Sequence, residues 1–138
     1  MSIRRHFVMA AGGTGGHMVP AHALAAELAS RGHKVALITD ERGQRIPGLF
    51  DDVPVHVMPA GRISGGPLGW LRAWLGIRKG RAMARRLFRE LEPTAVVGFG
   101  GYPSYPALLA ARARASRSLE KARASRWPAT SKASCQRV

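Results

Sequence analysis

Four glycines in six residues, Gly12-Gly13-Thr14-Gly15-Gly16-His17, stand between a short apolar run and a segment of helical period. That placement restricts the possible folds more than any other feature. Phe7 to Ala11 (FVMAA) reads as a buried strand, and Pro20 to Arg31 sets Ala21, Leu24, Ala25, Leu28 and Ala29 at helical spacing. Gly32 closes the helix, and Lys34 to Thr39 (KVALIT) is a second buried strand. Two such strands joined through one helix pair in parallel by a right-handed crossover.

The same alternation continues. Val53 to Met58 is a third strand weakened by Pro54, and Leu68 to Leu91 is helical with expected interruptions at Gly76 and Gly80. Ala95 to Gly98 is a fourth strand, followed by a second glycine turn, Gly98 to Pro106, and an apolar helix from Ser104 to Arg112. The expected fold class is α/β, a doubly wound parallel sheet. At 138 residues the chain has room for one such domain. No apolar run reaches the roughly 18 residues of a membrane span. Cys135 is the only cysteine, so an intramolecular disulfide and a cysteine-rich metal cluster are excluded, and a reducing cytoplasm is expected. The apolar stretch after the basic N-terminus is too short for a signal-peptide core.

The net charge of +14 is uneven: residues 112 to 138 carry eight Lys or Arg against one acidic residue, half of the total. In that stretch Leu119 and Val138 are the only aliphatic side chains larger than Ala, too little to offset ordering entropy. The expectation is a folded domain over 1 to 111 and a disordered basic tail over 112 to 138.

Loops that follow parallel strands open on one edge of the sheet, where ligands bind. In the first loop, backbone N–H groups and the positive end of a helix face that edge, and glycine lets a phosphate reach them. A tight turn with no ligand is the plain alternative. The loop lacks the Gly-Lys-Ser/Thr of a Walker A motif. It also misses the third glycine of the dinucleotide fingerprint, although Asp40 loosely matches the acid expected about 20 residues on, so a nicotinamide-binding domain stays open as a rival. His17 begins the helix, where the dipole disfavours imidazolium and leaves a neutral ring able to accept a proton; a capping histidine is the alternative. His6, His22, His33 and His56 are expected at surface or structural positions. Gly100, Gly101 and Tyr102 of the second turn open onto the same cleft, making a diphosphate-sized anion site, with Tyr102 either on a ligand or packed.

GGTGGHMVPAHALAAEL at Gly12 to Leu28 and VVGFGGYPSYPALLAA at Val96 to Ala111 resemble the MurG family of bacterial N-acetylglucosamine transferases of peptidoglycan synthesis. The resemblance covers about residues 5 to 111. It implies the amino-terminal, Rossmann-like half of a two-domain GT-B glycosyltransferase. The implied reaction moves N-acetylglucosamine from UDP-GlcNAc to the 4-hydroxyl of undecaprenyl-diphosphate-linked N-acetylmuramyl-pentapeptide, with inversion and no covalent intermediate. By position, the resemblance places Thr14, Gly15 and Gly16 at the donor and Gly13, Gly100, Gly101 and Tyr102 at the acceptor diphosphate. His17 is the implied base, and no metal or cofactor is implied. The cytoplasmic face of the cell membrane is the implied location.

Leu68, Leu71, Trp74, Leu75, Ala82, Met83, Leu87 and Leu91 share their segment with Arg72, Arg78, Lys79, Arg81, Arg85, Arg86 and Arg89. This composition suits an anionic membrane surface; a helix with one packed face and one solvated basic face is the alternative. Past Ala111 the resemblance stops, where the family continues into a strand and a His-Glu-Gln-Asn segment. An out-of-frame reading of the gene is one expectation for the tail, and a native basic arm is another. A chain cut there is expected to be inactive alone. The non-catalytic rival is a basic module on membrane or nucleic acid, without sequence-specific readout.

Overall fold

The structure is a computed structural model that describes residues 4–59 and 65–126, with side chains described to residue 119. Four parallel strands form one sheet in the order β3-β2-β1-β4: β1 His6–Ala11, β2 Lys34–Thr39, β3 Val55–Val57 and β4 Ala95–Gly100. Four helices connect or follow them: α1 Gly15–Ser30, α2 Glu41–Gln44, α3 Pro67–Leu91 and α4 Ser104–Arg126.

The central strands are apolar on both sides, and each side has its own core. Val8, Ala10, Ala36 and Ile38 pack with Ala84, Leu87 and Phe88 of α3 and Ala107 and Ala110 of α4. Met9, Ala11, Val35 and Leu37 pack with Met18, Ala21 and Ala25 of α1 and with Phe50. The expected doubly wound parallel sheet is therefore present. β3 is only three residues long because Pro54 has no N–H for the ladder, although its carbonyl accepts from Leu37 N at 2.9 Å.

Three element boundaries differ from expectation. Helix α1 begins at Gly15, inside the glycine loop, and carries Pro20 within it. Glycine has poor helix propensity, which hid this first turn, but the first four N–H groups of a helix have no intrahelical partner in any case. Helix α3 is continuous, with no break at Gly76 or Gly80. Gly80 is buried where α3 meets α4, and a Cβ there would stand 3.2 Å from Pro106 Cγ, so the glycine serves helix contact. Helix α4 does not stop at Arg112 but continues to Arg126. From Ala107 to Arg126 there is no Gly or Pro, and Ala, Arg, Lys, Leu and Glu are strong helix formers, so propensity extends the helix where burial does not. The rest of the expected tail, 127–138, lies outside the described residues.

Candidate functional site

The two glycine turns meet at the carboxyl edge of the sheet and form one surface. Gly12 N donates to Gly100 O at 2.9 Å, and the backbones of Gly12 and Gly101 are in direct contact. A Cβ on Gly101 would lie 2.7 Å from Gly12 Cα, and one on Gly12 would lie 2.9 Å from Gly101 Cα. Gly100 and Gly101 also have φ of 110° and 82°, the left-handed region open to glycine. The strand leads into this turn through an irregularity in its pairing, since Gly98 is opposite Ala10 but Gly100 is opposite Ala11.

Ser104 fastens the second turn. It is 5% exposed, and its hydroxyl lies 2.6 Å from Ala10 O and 2.7 Å from Gly100 O, so its single proton is shared between the end of β1 and the turn. The hydroxyl at the start of a helix in the GGYPS string was the available signal for this residue.

Asp40 fastens the first turn. Its Oδ1 accepts from Gly13 N and Gly43 N, both at 2.9 Å, and Arg42 Nη2 lies 3.4 Å from Oδ2. The carboxylate caps α2 and holds the glycine loop together. This goes against the nicotinamide reading, for which Asp40 was the matching acid: its side chain is 5% exposed and already engaged by two amides. Burial alone would raise the Asp40 carboxyl, but the Gly43 and Gly13 amides and Arg42 outweigh it and hold it below the ordinary 3.8. A carboxylate so depressed contributes stability above pH 3.8, and the contribution is lost as pH falls through the folded value. Asp40→Ala leaves a buried donor at Gly43 and a half-buried one at Gly13 unmet and should cost about 2–4 kcal/mol at pH 7. In thermal unfolding across pH, the gap between parent and variant should close under acid; a gap unchanged down to pH 2 would refute this account.

His17, at the third position of α1, is the residue on which the turns converge. Its Nδ1 is 3.1 Å from Thr14 Oγ1, and its ring lies against Gly100, where a Cβ would stand 2.8 Å from Nε2. With the proton on Nδ1 and donated to Thr14, Nε2 keeps a free lone pair. Thr14 is the N-cap by backbone geometry, yet its side chain makes no capping bond. The amides of Gly15 and Gly16, the first two helical residues, have no acceptor among the described residues. Neither glycine has any atom within 4 Å of a would-be Cβ, so both face open space. The structure thus brings Thr14, Gly15, Gly16 and His17 of the first turn beside Gly100 and Gly101 of the second, which the 46% exposed Tyr102 follows in sequence. Gly13 stands beside them with its N–H turned to Asp40, so it offers the opening shape and not a donor.

The other histidines sit elsewhere: His6 Nδ1 is 2.8 Å from Leu91 O, His22 is edge-on to Phe50, and His33 packs on Phe7. No group of His, Cys, Asp or Glu able to hold a metal ion occurs among the described residues. The first half of α3 exposes Leu68, Trp70, Leu71, Trp74 and Leu75, with Arg78 stacked 4.7 Å from the Trp74 ring centroid. Trp70, at 70% exposure, adds to the residues the sequence pattern singled out. No described helix is long and apolar enough to cross a membrane.

Residues 7–118 match the glycosyltransferase family 28 N-terminal domain. The chain is 63% identical over 113 residues to the UDP-N-acetylglucosamine--N-acetylmuramyl-(pentapeptide) pyrophosphoryl-undecaprenol N-acetylglucosamine transferase of Sphingopyxis alaskensis, covering 82% of this chain and 29% of that protein. It is 64% identical over 107 residues to the protein of the same description from Erythrobacter litoralis, covering 78% and 27%. Among solved structures, Acinetobacter baumannii MurG superposes with a TM-score of 0.67 at 34% identity, over 80% of this chain and 33% of that one. The chain therefore spans less than a third of the length of the curated relatives it matches. Its sheet corresponds to the N-terminal half of a GT-B glycosyltransferase.

Proposed function

This chain belongs to glycosyltransferase family 28 through that family's N-terminal domain, and from that premise we propose that it is the acceptor-side half of a hexosyltransferase. The proposed reaction carries N-acetylglucosamine from UDP-GlcNAc to the 4-hydroxyl of undecaprenyl-diphosphate-linked N-acetylmuramyl-pentapeptide, with inversion. The observation that carries this reading is the fused pair of glycine turns with His17 between them. Nε2 takes the proton of the attacking hydroxyl while Thr14 holds the ring through Nδ1. The free amides of Gly15 and Gly16, at the positive end of α1, favour the developing charge on the departing diphosphate of the donor, beside Thr14. Gly13, Gly100, Gly101 and Tyr102 shape the place of the acceptor diphosphate. A donor pocket closing from a second domain supplies positioning, so the chain alone turns nothing over.

The acceptor is a lipid, and the exposed Trp70, Leu71, Trp74 and Leu75 with neighbouring Arg72, Arg78 and Lys79 form the surface proposed to rest on an anionic bilayer. That puts the protein peripherally on the cytoplasmic face of the membrane. Co-sedimentation with phosphatidylglycerol vesicles tests both parts. Vesicles containing the lipid-linked acceptor should retain more chain than vesicles without it, and Trp70→Ser/Trp74→Ser should cut retention about tenfold or more. Equal retention with and without acceptor would sink the acceptor reading, and undiminished retention of the variant would sink the membrane surface.

A further inference from the structure

A second concentration of chemistry lies at the other end of the helices. Helix α3 descends from the carboxyl edge to the amino edge, where Leu91 O meets His6 at the start of β1. Helix α4 descends beside it from Ser104, packed on α3 at Gly80 and Pro106. Below that contact the helices leave a groove of about 750 Å³ lined by Ala82, Arg85, Arg86, Arg89, Arg114, Arg117 and Ser118. Five arginines border one space whose described walls contain no carboxylate. Arg114 is held in place, since its Nη1 donates to Phe88 O at 2.5 Å near the end of α3.

The ordinary reason for cations here is the negative end of α3. A helix end is equivalent to roughly half an elementary charge, which offsets only a fraction of five guanidiniums. Arginine's planar fork matches phosphate oxygens in pairs, and a groove with several such forks suits an anion that carries several charges within a small volume. We infer that this groove is a second anion site, taking a compact, multiply charged oligophosphate through Arg85, Arg86, Arg89, Arg114 and Arg117. It lies at the opposite edge of the sheet from the glycine turns and is independent of the transferase reading. The oligophosphate is either free in solution or the clustered phosphates of a lipid headgroup.

The test uses the full 138-residue chain with sodium tripolyphosphate as probe, followed by thermal shift and calorimetric titration. Tripolyphosphate should raise Tm in a saturable way, and the effect should shrink steeply with salt. Arg85→Gln/Arg89→Gln/Arg117→Gln should weaken apparent affinity at least about tenfold, whereas Arg31→Gln/Lys34→Gln/Arg45→Gln, which removes equal charge elsewhere, should change it less than about threefold. If the triple groove variant fails to fold by circular dichroism, the exposed Arg117→Gln alone carries the test, with a loss of about threefold or more expected. Equal weakening by both sets, or no saturation, would reduce the effect to net charge and overturn the site. Cardiolipin vesicles, with two phosphates in each headgroup, tried in the Trp70→Ser/Trp74→Ser background, separate the sources: competition with tripolyphosphate identifies a headgroup, and its absence a free oligophosphate. A dT oligonucleotide that binds more tightly than tripolyphosphate at equal phosphate concentration would make the site a nucleic-acid surface and overturn the compact ligand.

Discussion

Gly101→Ala should destabilise the domain by about 2–5 kcal/mol, combining a left-handed backbone forced on a residue with a Cβ and an overpacked contact. The new methyl would stand 2.7 Å from Gly12 Cα and 3.0 Å from Gly12 N, backbone atoms that no rotamer change can move aside. Against a typical domain stability of about 5–15 kcal/mol, this is a large share. Gly15→Ala makes the informative contrast, because the same addition meets open space at the first helical residue and improves helix propensity. It should stay within about 1 kcal/mol of the parent or gain slightly. Urea unfolding of the three proteins reads both effects. If the two substitutions proved equally costly, the contact between the turns would not be what requires glycine at Gly101.

His17→Ala should lower kcat by about 10²–10⁴ when the chain is joined to the carboxyl-terminal part of the Sphingopyxis alaskensis relative, with the acceptor KM little changed. The reason is geometric: Nε2 is free, and the ring is positioned by Thr14 on one side and by contact with Gly100 on the other. No carboxylate orients this histidine among the described residues; its Nδ1 partner is a neutral hydroxyl. Thr14→Val should therefore cost less than loss of the ring, because it frees the imidazole without removing the base. A kcat within a few-fold of the parent would remove His17 from the chemistry.

The chain spans less than a third of the curated relatives it matches. β4 is an edge strand in the sheet described, with Val96, Val97 and Phe99 only half-buried, whereas β1 and β2 are almost fully enclosed. The proposed site at the glycine turns lies at the carboxyl edge of this sheet. Its proposed facing wall comes from a second domain, consistent with the share of the relatives that this chain spans.

Periodicity and punctuation along the chain were enough to establish the parallel α/β class, because apolar runs of strand length alternate with helix-period segments and break at glycine. The two glycine strings and His17 were equally legible, since their place after parallel strands puts them at one edge. Tertiary structure alone decided what each glycine does. Gly12 and Gly101 are required by mutual backbone contact, Gly80 by the crossing of two helices, and Gly15 and Gly16 by neither, although all five look alike in a string of letters. Asp40 shows the same division: its spacing matched the acid of a dinucleotide fingerprint, but while one amide partner, Gly43, is local in α2, the other, Gly13, comes from the glycine loop that only folding brings to it. The arginine groove joins residues of α3 and α4 that local pattern treats as two unrelated solvated faces. Local sequence governs propensity and burial period, whereas contacts between distant segments depend on the geometry of the assembled sheet and helices.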